Sequence, residues 1–297
     1  MLRFGCGLLL PLALGLLLGM RFPALPGLLA KPLVHWGVPL SLVGLLLRAG
    51  LHGEMLLAAL MTAVVNGLGL TLVQRYAPLR RAIPSPCLRL GSVVGNTGFF
   101  GIPMALVLLP PQALAFSITY DLVGTFITWS AGPVLLEGRP AQRGQAVAAL
   151  LASPAFRGLA LALALQLSPW GETLGRWLWW PSQLLMLVAL AVVGMRLGVT
   201  LALARGDGPP PAGEGGLAAA LAFKLLALPL LLLALALLLR LPPLVRDALV
   251  LQAGAPTAIS ALLLAELVGR DGESTAQLVL VSTLLALGTV PLWWLVL

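Results

Sequence analysis

From residue 217 to residue 239 the chain carries a single charged side chain, Lys224, in a run made almost wholly of Leu and Ala. A stretch of that length matches the ~20 apolar residues with which an α-helix crosses a hydrocarbon core of about 30 Å. Comparable runs recur at 4–20, 29–47, 54–74, 87–109, 112–136, 147–168, 182–203, 244–268 and 274–296, which makes ten candidate spans in 297 residues. Their length predicts helices, since barrel strands take about ten residues of alternating polarity. Ten helices of about 21 residues leave only short loops. No separate aqueous domain fits between them.

Composition narrows the function classes. The chain is 60% hydrophobic and 9% charged, with a mean hydropathy of +1.03. A soluble domain is about 45–50% apolar and about 25% charged, so this chain lacks the polar residues to cover a globular surface. Disorder is excluded as well, because it needs low hydrophobicity and high charge. The expected class is an all-α membrane protein in the lipid bilayer.

The net charge of +8 comes from 18 Lys and Arg against 10 Asp and Glu. The basic residues sit singly in short loops, which points to membrane topology rather than to nucleic acid, and no nucleic-acid partner is expected. With the N-terminus outside, eleven Lys/Arg fall on the inner side: Arg21, Lys31, Arg75, Arg80, Arg81, Arg89, Arg139, Arg143, Arg196, Arg205 and Arg270. Five fall outside: Arg3, Arg48, Arg176, Arg240 and Arg246. Both termini are therefore expected on the non-cytoplasmic side of a multi-pass cell-membrane protein, a bacterial inner membrane being the expected setting. Cys6 and Cys87 then lie on opposite faces and form no disulfide. The first run, behind Arg3, is read as a span and not a signal peptide, because Met20-Arg21-Phe22-Pro23 follows it without an A-x-A cleavage site. Residues 205–216, rich in Gly and Pro, read as a flexible linker.

Ten spans invite a search for an internal repeat. Pairing the fourth with the ninth aligns Gly-Ile-Pro103 with Gly-Ala-Pro256, and pairing the fifth with the tenth aligns Pro133 with Pro291. Five spans per half is odd, so the halves must be inverted. Span four packs Gly91, Gly95, Gly98, Gly101 and Pro103 with Ser92, Asn96 and Thr97 into a stretch that must lie in hydrocarbon. Gly and Pro weaken a helix by about 1 and 3 kcal/mol. Freed backbone groups survive in a bilayer only where protein or a watery cavity covers them. Span nine repeats the problem at Gln252-Ala253-Gly254-Ala255-Pro256-Thr257, with Ser260 close behind. Two inverted breaks would present half-helix N-termini, whose free N–H groups favour an anion.

Charged residues inside spans are few. Asp121 lies in span five and is the leading candidate for a coupling-ion site. Lys224 is a second candidate, although its long stem could also reach the cytoplasmic face. Glu266 is read as interfacial. Tyr120-Asp121 superficially suggests an intramembrane aspartyl protease, but the second membrane-embedded aspartate is missing, and neither His35 nor His52 has a Gly-x-Ser-x-Gly partner. An enzyme is not expected, and neither are catalytic residues, metal ligands or cofactors. Gly15-x-x-x-Gly19 could serve helix packing or dimerisation.

The stretch Asn96-Thr97-Gly98-Phe99-Phe100-Gly101-Ile102-Pro103 resembles the fourth-span signature of the auxin efflux carrier family, which includes bacterial malate/malonate permeases. Ala253 to Ala258, Ser282 to Pro291 and Lys224 to Pro229 are similar to its closing spans. The resemblance implies ten transmembrane helices in an inverted 5+5 repeat with broken crossing helices 4 and 9, akin to bile-acid symporters and sodium/proton antiporters. The halves would be 1–137 and 147–297, joined by a short cytoplasmic loop, 138–146. Spans 1, 2, 6 and 7 would form a scaffold, able to dimerise, and spans 3–5 and 8–10 a mobile transport domain. Asn96, Gly101 and Pro103 match the first crossing element and Pro256 the second. The loop Glu137 to Ala146 is short where plant members have a long one, so loop phosphoregulation does not carry over.

The expected function is secondary active transport of a small organic anion, such as a carboxylate, by elevator-type alternating access. Asn96, Thr97, Gly98, Gly101, Pro103, Gln252, Gly254, Pro256, Thr257 and Ser260 are the expected binding residues. Coupling to protons, to sodium or to no ion stays open, as do substrate and direction. The alternatives are a sodium-coupled bile-acid-type symporter, a channel, and a non-transporting membrane scaffold. No phosphate-binding Gly-x-x-x-x-Gly-Lys-[Ser/Thr] loop is present, so a gradient or a partner must supply the energy.

Overall fold

The computed structural model describes residues 5–50, 52–137, 147, 148, 151, 153–204 and 216–297. Of the expected linker 205–216 only Gly216 is described; the loop 138–146 lies outside the described residues, as does the side chain of Cys6. Among the described residues every regular element is helical, and the one β feature is an isolated antiparallel bridge between Gly95 and Thr257. Besides the short helices Ala77–Ala82 and Pro111–Ala113, the helices are α1 (Leu10–Arg21), α2 (Leu25–Ala49), α3 (Glu54–Arg75), α4 (Pro86–Gly91), α5 (Thr97–Leu108) and α6 (Leu114–Glu137). They continue with α7 (Pro154–Gln166), α8 (Gly171–Ala204), α9 (Leu217–Leu238), α10 (Pro243–Ala253), α11 (Ile259–Val268) and α12 (Gly272–Val296). Five of them, α2, α3, α8, α9 and α12, are by themselves long and apolar enough to cross a membrane. Large apolar side chains such as Leu56, Leu230 and Leu267 are exposed, a surface suited to lipid.

Helix α8 begins at Gly171, eleven residues before the apolar run predicted at 182–203. Its first turns carry Glu172, Arg176 and Trp177, which lowered the apolar signal without breaking the helix. Trp170, Trp177 and Trp180 are exposed there, as in an interfacial aromatic belt.

Among the described residues four turns widen to i→i−5 bonding: Gly5–Leu9, Leu33–Gly37, Thr97–Gly101 and Phe223–Ala227. Each stands two residues before a proline, namely Pro11, Pro39, Pro103 and Pro229. The ring clashes with the carbonyl four residues back and offers it no N–H. A widened turn lets the chain pass: Val38 N–H donates to the Leu33 carbonyl, and Leu228 N–H to that of Phe223. Pro103 therefore does not break its helix, contrary to the sequence-based expectation.

The chain groups into two compact units. One comprises residues 1–52, 98–118 and 152–211, and the other 53–97, 119–151 and 212–297. In the first, α8 is the central element. A side chain at Gly15 or Gly19 would run into the carbonyl of Ala191 or Met195, and one at Gly194 or Gly198 into that of Leu12 or Leu16. Two Gly-x-x-x-Gly faces thus bring α1 and α8 into backbone contact, running parallel because the paired numbers rise together. The Gly15–Gly19 motif is used within the chain, and the dimerisation expected as one of its two uses has no free glycine face left. Helix α2 packs antiparallel on α8, with Gly37 beside Leu185 and Gly44 beside Leu178 and Ser182. Ala30, Leu33, Ala189 and Val192 form a buried cluster between them.

In the second unit, Ser85 caps α4 by accepting from the Leu88 N–H at 3.2 Å. The same hydroxyl donates to Asp271 Oδ2 at 2.5 Å, tying α4 to the turn between α11 and α12. That turn takes left-handed backbone at Gly269 and Asp271. Cys87 is buried with a free thiol.

Candidate functional site

The site forms at two unwound segments of the second unit, 92–96 and 254–258. Helix α4 ends at Gly91 and the chain resumes helical form at Thr97, while α10 ends at Ala253 and α11 starts at Ile259. The unwound residues 92–96 and 254–258 meet each other. Asn96 N–H donates to the Pro256 carbonyl at 2.7 Å, and Ala258 N–H donates to the Val94 carbonyl at 3.1 Å. Each segment thereby satisfies backbone groups that its own helix no longer can, the condition for irregular backbone at membrane depth. Thr257 closes the crossing. Its hydroxyl donates to the Gly91 carbonyl at 3.0 Å, and its N–H donates to Ser282 Oγ at 3.0 Å.

The two interruptions share one offset, since helix ends at Gly91 and Ala253 and restarts at Thr97 and Ile259 are each 162 residues apart. Helices α3 and α9 preceding them are both 22 residues long and start 163 apart, at Glu54 and Leu217. The spacing of 153 read from Pro103 and Pro256 does not describe this match. Pro256 lies in the unwound segment, whereas Pro103 lies seven residues beyond its own. Helix propensity pointed to the prolines, while tertiary pairing around Gly95 and Thr257 decides where the chain unwinds.

Two charged side chains border the crossing. Lys224 is fully buried, and its Nζ donates to the Ala253 carbonyl at 2.7 Å. An ammonium at the last carbonyl of α10 complements the negative end of that helix. A Cβ on Gly95 would stand 3.2 Å from the same Nζ, close enough that the lysine end would have to give by a few tenths of an ångström. Lys224 does not reach the membrane face, in contrast to the snorkelling its stem would have allowed. The widened turn Phe223–Ala227 carries it. Pro229 leaves the Leu225 carbonyl without its helical donor, and Trp293 Nε1 fills that place at 2.9 Å. Asp121, 9% exposed, accepts from Thr97 Oγ1 at 2.6 Å. Thr97 is the first residue of α5, where a carboxylate is favoured by the helix dipole. Next to Asp121, the buried Tyr120 hydroxyl accepts from Asn66 Nδ2 at 3.3 Å.

Of the residues expected from sequence, Asn96, Thr97, Asp121, Lys224, Gln252, Gly254, Pro256, Thr257 and Ser260 belong to this unit. Asn96 and Gln252 are buried, and Ser260 is half-buried. Gln252 is fully buried, and among the described residues neither its amide nitrogen nor its amide oxygen has a hydrogen-bond partner. Leaving such a group unmade costs about 1–3 kcal/mol, a penalty that a ligand or water would relieve. Thr257 has its hydroxyl proton committed to Gly91 and acts as a clasp of the crossing. Gly98, Gly101 and Pro103 fall in the other unit, with Gly101 and Pro103 buried and Gly98 half-buried. Asn66 and Ser282 were missed; Asn66 shares its span with Thr62 and Thr71 and Ser282 adjoins Thr283, and no Gly and Pro cluster marks either position.

Residues 143–294, just over half of the chain, match the family described as membrane transport protein. No curated protein matches the chain. The match covers α7 to α11 and nearly all of α12, including the second unwound segment with Gln252 and Pro256. Interrupted helices, apolar exposed faces and this match agree, and the chain belongs to the membrane transport protein family, which includes auxin efflux carrier-like proteins.

Proposed function

We propose that this membrane transporter is a secondary carrier of a small organic anion, and that the crossing of residues 92–96 with 254–258 binds the substrate's carboxylate. The observation that carries this reading is the buried Gln252 amide, without a partner among the described residues, one residue from the carbonyl that anchors Lys224. An amide donor and a fixed ammonium at one interruption suit a carboxylate, since charge-assisted hydrogen bonds are the stronger kind. The first-turn N–H groups of α11 add positive potential there. Asn96, whose N–H is fixed by Pro256, contributes a second side-chain amide.

The recurring element boundaries support the inverted 5+5 repeat, with α4–α5 and α10–α11 as its broken fourth and ninth spans. The grouping of residues 53–97, 119–151 and 212–297 supports a mobile body drawn largely from spans 3–5 and 8–10 in an elevator-type cycle, with residues 98–118 of spans four and five in the other unit. Asp121, bonded to Thr97 at the start of α5, is the candidate for coupling to a proton or cation, and Lys224 holds the crossing's positive charge. The protein would act in the cell membrane with both termini outside.

Uptake of labelled mono- and dicarboxylates into proteoliposomes tests the proposal, with arms carrying a pH gradient, a sodium gradient or neither. Saturable uptake of at least one carboxylate, abolished in Asn96→Ala or Gln252→Ala protein of normal thermal stability, is the expected result. Uptake of none of them, or uptake unchanged in both variants, would overturn it. Unitary electrical currents would mark a channel and overturn it equally.

A further inference from the structure

A second polar feature lies in the first unit, away from the interrupted helices. Lys31 at the end of the first α-helical segment of α2, His35 and Trp36 in the widened turn that follows, and Arg196 of α8 line one open depression of about 630 Å³. Lys31 and His35 are four residues apart and share a helix face. Helix α8 runs antiparallel to α2, which brings Arg196 to the same level. All four side chains are exposed, with Trp36 at 72%, and the Trp36 ring meets His35 edge-on at a centroid distance of 4.9 Å.

No carboxylate among the described residues of this unit stands beside these cations. Among the described residues of this unit Glu172 is the only carboxylate, against Arg21, Lys31, Arg48, Arg157, Arg176 and Arg196. Glu172 lies on the same helix as Arg196 but 24 residues earlier, about 36 Å along the axis at 1.5 Å per residue. The Lys/Arg distribution assigns Lys31 and Arg196 to the cytoplasmic side, where a leaflet of anionic lipid sets a negative surface potential. An exposed Trp beside basic groups is the pattern of a headgroup-level anchor, with its ring at the acyl boundary and the cations at phosphate depth. A mere solvated face would place its charges apart. Here two helices deliver them to a single concavity.

We propose that this depression binds a phosphate ester, in the bilayer the headgroup of an anionic phospholipid, with Lys31 and Arg196 on the phosphate oxygens and Trp36 against the glycerol and first acyl carbons. Arg196 supplies the forked donors that fit phosphate, and Lys31 a point charge.

The full chain, purified and reconstituted in mixed phosphatidylglycerol and phosphatidylcholine, is released into native mass spectrometry, and the lipids retained per chain are counted. Preferential retention of phosphatidylglycerol by about tenfold is expected, lost in Lys31→Ala/Arg196→Ala and kept in Lys31→Arg/Arg196→Lys. The charge-conserving pair separates loss of the site from loss of the fold. A parallel arm adds inorganic phosphate alone. Displacement of the lipid only at concentrations far above those of the lipid supports a headgroup as the source, and tight binding of inorganic phosphate itself supports a free phosphate. Equal retention of both lipids by the wild type, or undiminished preference in the double alanine variant, overturns the proposal.

Discussion

Trp293 shows how far one side chain can be traced to a physical need. Pro229 cannot donate to the Leu225 carbonyl, and the indole N–H of Trp293 takes its place. Trp293→Phe is expected to leave that carbonyl unpaired and to cost about 1–3 kcal/mol in thermal unfolding. In a Pro229→Ala background residue 229 regains its N–H, so the same substitution is expected to cost much less. A double-mutant cycle measures the difference, and equal costs in the two backgrounds would contradict the account. At the site itself, Gly95→Ala puts a Cβ 3.2 Å from Lys224 Nζ, and transport is expected to fall in flux assays while membrane insertion stays normal. Asn96, Gln252, Asp121 and Lys224 could be read from the sequence because polar residues in long apolar runs stand out. The partners of Asp121 and Lys224 could not, since the Thr97 and Ala253 bonds depend on which helices lie side by side.

At the scale of elements, glycine decides which helices touch. Gly19→Leu in α1 would drive a side chain into the Met195 backbone of α8, whereas Gly27 has nothing within 4 Å of its missing Cβ. Overpacking of a close contact costs about 1–3 kcal/mol. Gly19→Leu is therefore expected to lower the unfolding temperature in detergent, and Gly27→Leu to leave it unchanged. Helix positions were legible from the length of apolar runs, most closely for α3, predicted at 54–74 and observed at Glu54–Arg75. The place of the first interruption was not. Pro103 looked like the breaking residue, but a widened turn absorbs it, and the unwinding falls earlier, where Val94 and Asn96 find backbone partners in another segment. Propensity is local, and those partners lie some 160 residues away in the chain.

For the whole molecule, the charge distribution gives an orientation that can be measured. In a background without Cys6 and Cys87, a cysteine introduced by Arg80→Cys is expected to react with an impermeant thiol reagent only from the cytoplasmic side, and one by Arg240→Cys only from outside. The reverse pattern would invert the topology. The membrane class followed from composition, the transport family from a match over residues 143–294, and the proposal of an anion site from the meeting of two unwound segments. That last step is the central claim, and calorimetric titration of purified protein with a panel of mono- and dicarboxylates tests it most directly. The account predicts that at least one carboxylate binds, and that Asn96→Ala/Gln252→Ala weakens it by roughly 10- to 100-fold, the range for losing hydrogen bonds to a charged group, with no change in unfolding temperature. Binding of equal strength to wild type and double variant would contradict it.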